Sequence, residues 1–299
     1  MHPRCLEHRL TEAEREFFNT QGYLVVEDAL SPEFTGRVIA AVDRIDRRER
    51  APDQQGKLMS FPDVLGEDPA MVELVLHEKT LPKVWGILGW NIYSYHSHAD
   101  VTPPADEAAL TWRVAWHQDS MRMNDEMETN PRPRMSLKIG FYLTDASEPE
   151  RGNTLIVPGS HSWNAIDCPQ DGVSCPEGTE PLCVKPGTAV IIDRRIWHSR
   201  SANTSNITRK VVWLGYSYRW LRPKDQMTVG HLLPGLDPVG RQILGACPSN
   251  NGTYDPVEAD VPLRAWLREH SPAEAEHRLH QGGQARPPAL VRGKNSGRT

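Results

Sequence analysis

The chain has 299 residues, 38% of them hydrophobic and 24% charged, a balance that fits a water-soluble protein of one large domain or two. A net charge of −5 provides no basic stripe for nucleic acid, and no apolar run approaches the length of a membrane span. The opening MHPRCLEHRL lacks the apolar stretch of a signal peptide, and five scattered cysteines form no C-x-x-C pair, so the expectation is a cytoplasmic protein with reduced thiols.

Thr11-Glu12-Ala13-Glu14 has the form of a capping box and predicts a short helix to about Thr20, closed by Gly22. YLVVEDAL then reads as a strand. Ser31-Pro32 is an N-cap with a first-turn proline, and Phe34, Val38, Val42 and Ile45 recur at helical spacing, which predicts a helix from Pro32 to about Arg48. Residues 49–64 are polar and read as loop, and 69–88 as helix. From residue 90 the period becomes two. NIYSYHSHADV predicts a strand that places Ile92, Ser94, His96 and His98 on one face. LTWRVAWHQD predicts a second strand, 121–134 a polar loop rich in Met and Arg, and MSLKIGFYLTD a third strand with Met135, Leu137, Ile139, Phe141 and Leu143 on one face. TLIVPGSH, KPGTAVIID and TRKVVWLGYSYRW follow as strands, and PLRAWLREH as a helix.

Helices first and then a run of strands imply an α+β fold, mainly β at its core, of sandwich or barrel type. We expect a single domain over residues 1–280. Its parts are a helical portion at about 10–88, a β core at about 90–220 and a C-terminal extension at 221–280. The tail 281–299, rich in Gly, Pro, Arg and Ser, is expected to be disordered.

Two H-x-D triplets occur, His98-Ala99-Asp100 and His117-Gln118-Asp119. Two histidines and one carboxylate on one face of a metal, with the opposite positions open, make an iron site of the facial-triad kind. His117 and Asp119 supply two such ligands, and His198, at the end of AVIIDRRIW, supplies a third from a distant strand. Arg209 opens the last apolar strand. A guanidinium buried there needs an anion, and a carboxylate is its natural bidentate partner. His161, in VPGSH, lies at a turn marked by Gly159 and Ser160 and reads as turn-stabilising.

With these motifs in place the chain resembles the phytanoyl-CoA dioxygenase family of Fe(II)/2-oxoglutarate oxygenases over roughly residues 10–220. The resemblance is carried by LTEAEREFFNTQGYLVVEDALSPE, ILGWNIYSYHSHADVTPP, WHQD, ERGNTLIVPGSH and HSRSANTSNITR. It implies a double-stranded β-helix flanked by N-terminal helices. It implies Fe(II) held by His117, Asp119 and His198, with 2-oxoglutarate as co-substrate and O2 as oxidant. It further implies Arg209 on the distal carboxylate of the co-substrate, with His98 and Phe141 lining the same pocket. The helper lysine of the family has only Lys57 as a candidate, and Arg200 stands where some members have a small hydroxyl residue. The implied activity is hydroxylation of an unactivated C–H bond in a small-molecule substrate, giving succinate and CO2. Two other readings stay open: a non-catalytic β-barrel binding protein with a vestigial site, and a cupin-like metal enzyme that uses no 2-oxoglutarate.

Overall fold

The computed structural model describes residues 1–105 and 113–276. The predicted tail from Gln281 and the start of the predicted strand at 110–119 lie outside the described residues.

Four helices precede the β core: α1 (Glu12–Gln21), α2 (Pro32–Glu49), α3 (Pro69–Val75) and α4 (Leu81–Leu88). The capping box forms as expected. The Thr11 hydroxyl accepts from the Glu14 amide, and the Glu14 carboxylate accepts from the Thr11 amide at 2.8 Å. Such caps contribute about 1 kcal/mol each. Gly22 closes α1 at φ 81°, a left-handed conformation that needs glycine, and His161 packs directly against it. The helix expected over 69–88 is in fact two. Pro82, in the first turn of α4, lacks the amide that a continuing helix would require, so the chain turns at His77–Thr80 and restarts.

Among the described residues the strands are β1 (Tyr23–Val26), β2 (Met59–Pro62), β3 (Ile92–Thr102), β4 (Ser136–Tyr142), β5 (Thr154–Ile156), β6 (Glu180–Pro181), β7 (Ala189–Asp193), β8 (His198–Arg200) and β9 (Arg209–Tyr218). They form a six-stranded antiparallel sheet in the order β1-β7-β4-β9-β3-β2 and a three-stranded sheet in the order β6-β5-β8. β2 corrects the loop expected over 49–64. Four residues, MSFP, are too short to show a period, and the strand lies at the edge of the large sheet, paired only with β3.

Strand alternation divides the large sheet into two faces. Leu137, Ile139 and Phe141 of β4, Ala189 and Ile191 of β7 and Val212, Leu214 and Tyr216 of β9 join one apolar cluster with the helices, including Phe18, Val38, Val42, Ile45, Leu74 and Trp85. Each Val, Leu, Ile or Phe among them stabilises the fold by about 1.5–3 kcal/mol when fully buried. On the opposite face Tyr142, Val190, Ile192, Val211 and Trp213 meet Ile156, Leu182 and Val184, so a second cluster fills the space between the sheets. The site opens from that inner face.

Three further expectations are corrected. β3 does not keep Ile92, Ser94, His96 and His98 on one face. Its register with β9 slips between Ser94 and His96, a bulge that sends Ile92 and Ser94 toward the helices and His96 and His98 toward the inner face. Within 113–119, where a strand was expected, only His117 pairs, through an isolated bridge to His198. The loop expected over 121–134 contains a short helix, α5 (Met121–Asp125). PLRAWLREH forms the helix Pro262–His270 as expected. Among the described residues no helix is long and apolar enough to cross a membrane.

Candidate metal centre and co-substrate cavity

His198 sits on β8, and His117 on the segment that crosses in front of it. The two backbones clasp each other, His117 N–H to the His198 carbonyl at 3.1 Å and His198 N–H to the His117 carbonyl at 3.0 Å. Asp119 follows two residues on, its amide bonded to the Arg194 carbonyl at 2.9 Å. One ligand atom from each of His117, Asp119 and His198 lies within 4.8 Å of the others, the one such group of three among the described residues. Both imidazoles are oriented from behind: Nδ1 of His117 meets the Ala115 carbonyl at 2.8 Å, and Nδ1 of His198 the Ile196 carbonyl at 2.9 Å. If each Nδ1 carries the donated proton, each Nε2 offers its lone pair to the shared centre, the arrangement that metal-ligating histidines use.

The electrostatics suit a divalent cation. Burial, and next the neighbouring His117, push His198 down to about 3, so its ring is neutral and its lone pair free at ordinary pH. Burial alone would raise the Asp119 carboxyl, but its neighbours, Lys138 foremost and Lys224 among them, together outweigh it and hold Asp119 below the usual aspartate range. Lys138 Nζ lies 3.5 Å from Asp119 Oδ2 and 4.6 Å from the centre of the Trp213 ring.

Next to the triad opens a cavity of about 310 Å³, lined in part by His98, Lys138, Thr154, Arg209 and Trp213 together with His117 and His198. Arg209 forms its end wall. It is 1% exposed, and its guanidinium lies 5.4 Å from the centre of the Tyr142 ring. Nη2 donates to Thr154 Oγ1 at 3.2 Å, while Nε and Nη1 are buried without a hydrogen-bond partner. A buried cation with two unsatisfied donors is costly unless an anion completes it. The residues present therefore fit both groups: a two-histidine, one-carboxylate set for Fe(II), and a cationic fork for the far carboxylate of a keto-diacid.

The structure brings His117, Asp119, His198, Arg209 and His98 to this one place. His98 lines the cavity, its ring stacked on Trp213 at 6.3 Å and its Nδ1 2.9 Å from His96 Nε2; burial, then Lys138, pushes it down to about 3. Phe141 is not brought there. Its parity on β4 sends it into the helix-facing core, and the inner face beside it is Gly140, over which the Trp213 ring lies so closely that a Cβ would sit 2.6 Å from it. The aromatic wall of the cavity thus comes from β9 instead of β4. Lys57 is exposed and outside the lining, and the lysine in the cavity is Lys138. The sequence did carry a signal for it: Lys138 is the one charge in SLKIGFY, and it has the parity opposite to the core residues. Asp100 is not a fourth ligand. It lies 3.9 Å from His98 Nε2 and 3.6 Å from Arg200, on the cavity wall. His161 accepts the structural role expected of it, bonding the Asn19 carbonyl at 3.1 Å under Gly22.

Two facing antiparallel sheets with a two-histidine, one-carboxylate cluster at their mouth define a double-stranded β-helix protein built to hold a metal ion. The chain belongs to the phytanoyl-CoA dioxygenase (PhyH) family, whose sequence profile matches residues 18–211. Among curated relatives it is 24% identical over 200 residues to the dioxygenase af480 of Aspergillus fumigatus, covering 61% of this chain and 60% of that protein. It is 26% identical over 244 residues to an ectoine dioxygenase of Bordetella bronchiseptica, covering 70% of this chain and 75% of the relative. In three dimensions it is similar to HygX from Streptomyces hygroscopicus, solved with nickel and 2-oxoglutarate. That match has a TM-score of 0.58 and 15% identity, covering 72% of this chain and 88% of HygX.

Proposed function

We propose that this chain is an Fe(II)- and 2-oxoglutarate-dependent dioxygenase that hydroxylates an unactivated C–H bond of a small organic metabolite, with release of succinate and CO2. One observation carries the reading: three ligand atoms within 4.8 Å of one another stand beside a buried arginine with two unsatisfied donors. A cupin-like enzyme without 2-oxoglutarate leaves Nε and Nη1 of Arg209 with no acceptor. The carboxylate of Asp119 favours hydroxylation over halogenation, which needs that position vacant for a halide. The relative named for ectoine supports a substrate of metabolite size.

Bound iron supplies the dioxygen-activating chemistry that the side chains lack. The residues do the rest. His117 and His198 present neutral nitrogens, and Asp119 an ionised oxygen kept so by Lys138. Arg209 fixes the co-substrate at its far carboxylate, and Thr154 and Tyr142 hold the guanidinium in place. Trp213 and His98 wall off water on the inner face. The test is aerobic incubation with Fe(II), 2-oxoglutarate and a metabolite panel, with succinate quantified. Wild-type protein is expected to form succinate in an iron-dependent manner, and Asp119→Ala none. Equal succinate from both proteins would defeat the reading.

A further inference from the structure

The triad has a second open side. A separate cavity of about 530 Å³ meets it at His117 and Asp119 and is lined further by Tyr95, Met121, Met123, Leu221, Arg222 and Lys224, among others. A volume of this size suits a small organic molecule. If 2-oxoglutarate fills the Arg209 cavity, this is the side left for the prime substrate, an argument that rests on the function proposed above. The lining combines two characters. Met121, Met123, Leu221 and Tyr95 offer an adaptable apolar bed. The charges on its rim are Arg122, Arg222 and Lys224, and the only carboxylate in the lining is Asp119, which the metal would take.

These cations differ in availability. Arg122 is engaged by Glu126 at 2.8 Å. Arg222 and Lys224 form no ion pair among the described residues, and the segment that carries them is firmly held. The Lys224 amide donates to the Tyr95 carbonyl at 2.8 Å, and the next residue, Asp225, accepts from the Ser97 amide at 2.6 Å. Lys224 acts at present on the Asp119 carboxylate, which a bound metal would take over, so with metal in place two positive side chains on an anchored segment, facing an apolar bed beside the metal ligands, constitute a recognition element for an anion.

We infer that the prime substrate is a small molecule with an apolar body and an anionic group, carboxylate or phosphate, and that Arg222 and Lys224 bind that group while the body lies on Met121, Met123 and Leu221. Arg222 and Lys224 are thereby specificity-determining residues outside the metal and co-substrate sites.

The test uses the full chain loaded with Mn(II) and saturating 2-oxoglutarate, and reads the paramagnetic broadening of probe proton signals by NMR. The probes are phenylacetate against phenylacetamide and phenyl phosphate against phenol. The expected result is broadening of one or both anions without broadening of the neutral partners, and at least a ten-fold weaker affinity for those anions in the Arg222→Glu/Lys224→Glu variant. The two anion arms decide between carboxylate and phosphate. Lys185→Glu, in the turn before β7 and outside both cavity linings, controls for a charge reversal elsewhere on the chain and should retain the binding. Equal broadening by neutral partners, undiminished anion binding in the double variant, or no broadening by any probe would overturn the inference. Iron-dependent succinate formation by the wild-type protein is measured in parallel. Its absence would defeat the proposed function instead, so the two failures are separable.

Discussion

Arg209→Leu separates a co-substrate anchor from a structural ion pair. In the folded chain the guanidinium makes one neutral hydrogen bond, to Thr154 Oγ1 at 3.2 Å, and leaves Nε and Nη1 unmatched. A carboxylate accepting from both donors gains two charge-assisted bonds. At the low end of about 1.5 kcal/mol each, their loss costs about 3 kcal/mol, or about 150-fold in affinity for 2-oxoglutarate. The competing account makes Arg209 a partner of buried Asp100. Removing one partner of a buried pair costs about 3–5 kcal/mol of stability, a fall of about 10 °C in Tm for a chain of this class. The structure favours the first account. Asp100, whose burial opposes its ionisation, is compensated among the permanent cations first by Arg200, 3.6 Å away, and only then by Arg209. Replacing the arginine also relieves the desolvation of a cation that is 1% exposed. We therefore expect anaerobic calorimetry of 2-oxoglutarate binding to the Fe(II)-loaded variant to show a loss of about two orders of magnitude, with Tm lowered by less than about 4 °C. A dissociation constant within three-fold of wild type, accompanied by a large drop in Tm, would refute the reasoning.

His117→Ala and Asp119→Ala should each reduce bound iron from about one equivalent to below about a tenth, by elemental analysis, with an unchanged far-ultraviolet spectrum; retained stoichiometric iron would contradict the ligand assignment. His98 is held neutral by burial, with its folded value near 3 against an ordinary 6.5. The unfolded chain therefore takes up a proton that the folded chain refuses. Metal-free protein should lose about 1.4 kcal/mol per pH unit from this group as pH falls below about 6.5, until the folded value near 3 is passed, and His98→Gln should flatten that slope in urea unfolding. Asp193 has the opposite sign. Burial opposes its ionisation, but Arg195, bonded at 2.8 and 2.6 Å, and Arg134, at 2.7 Å, hold the carboxyl below its usual range. Its contribution is present above the unfolded value of about 3.9 and is lost as pH falls through the folded one. Asp193→Asn should then cost about 3–5 kcal/mol at pH 7, by denaturant titration, with the deficit shrinking below about pH 4.

What the sequence revealed divides along physical lines. Helices with local caps were readable to within a residue or so, because Thr11–Glu14, Ser31–Pro32 and Gly22 act on their immediate neighbours. The grouping of His117, Asp119 and His198 was also readable, since the chemistry of a metal restricts residue types sharply. Features that depend on register were not. A bulge after Ser94 has no compositional mark, yet it reverses the outward direction of every later residue in β3. The Phe141 expectation failed on the same ground, although the sequence pattern pointed the other way. Its own parity grouped it with Leu137 and Ile139, and Lys138 had already marked the other face as the polar one. β2 escaped notice because an edge strand gains its order from its partner instead of from an apolar pattern of its own.

The three candidate ligands belong to two chain segments of different character, and this bears on how the site is kept in register. His198 is part of a sheet, whereas His117 and Asp119 ride on a crossing stretch with no strand partner beyond His198 itself. That stretch is secured by side chains. Arg194, fully buried, reaches the Asn124 side chain at 2.5 Å and the Pro133 carbonyl at 3.2 Å, and Asn124 in turn donates to the Asp119 carbonyl at 3.1 Å. Arg132 holds the Gln118 side chain at 2.8 Å and the Asn164 carbonyl at 2.9 Å. A buried arginine is expensive as a filler, so the placement of Arg194 beside this short loop argues that the loop's position matters more than its contribution to stability. The same loop carries Met121 and Met123 into the second cavity. Ligand geometry on one side and the substrate bed on the other are therefore fixed by a common set of hydrogen bonds, and a substitution that loosens Asn124 or Arg194 disturbs both at once.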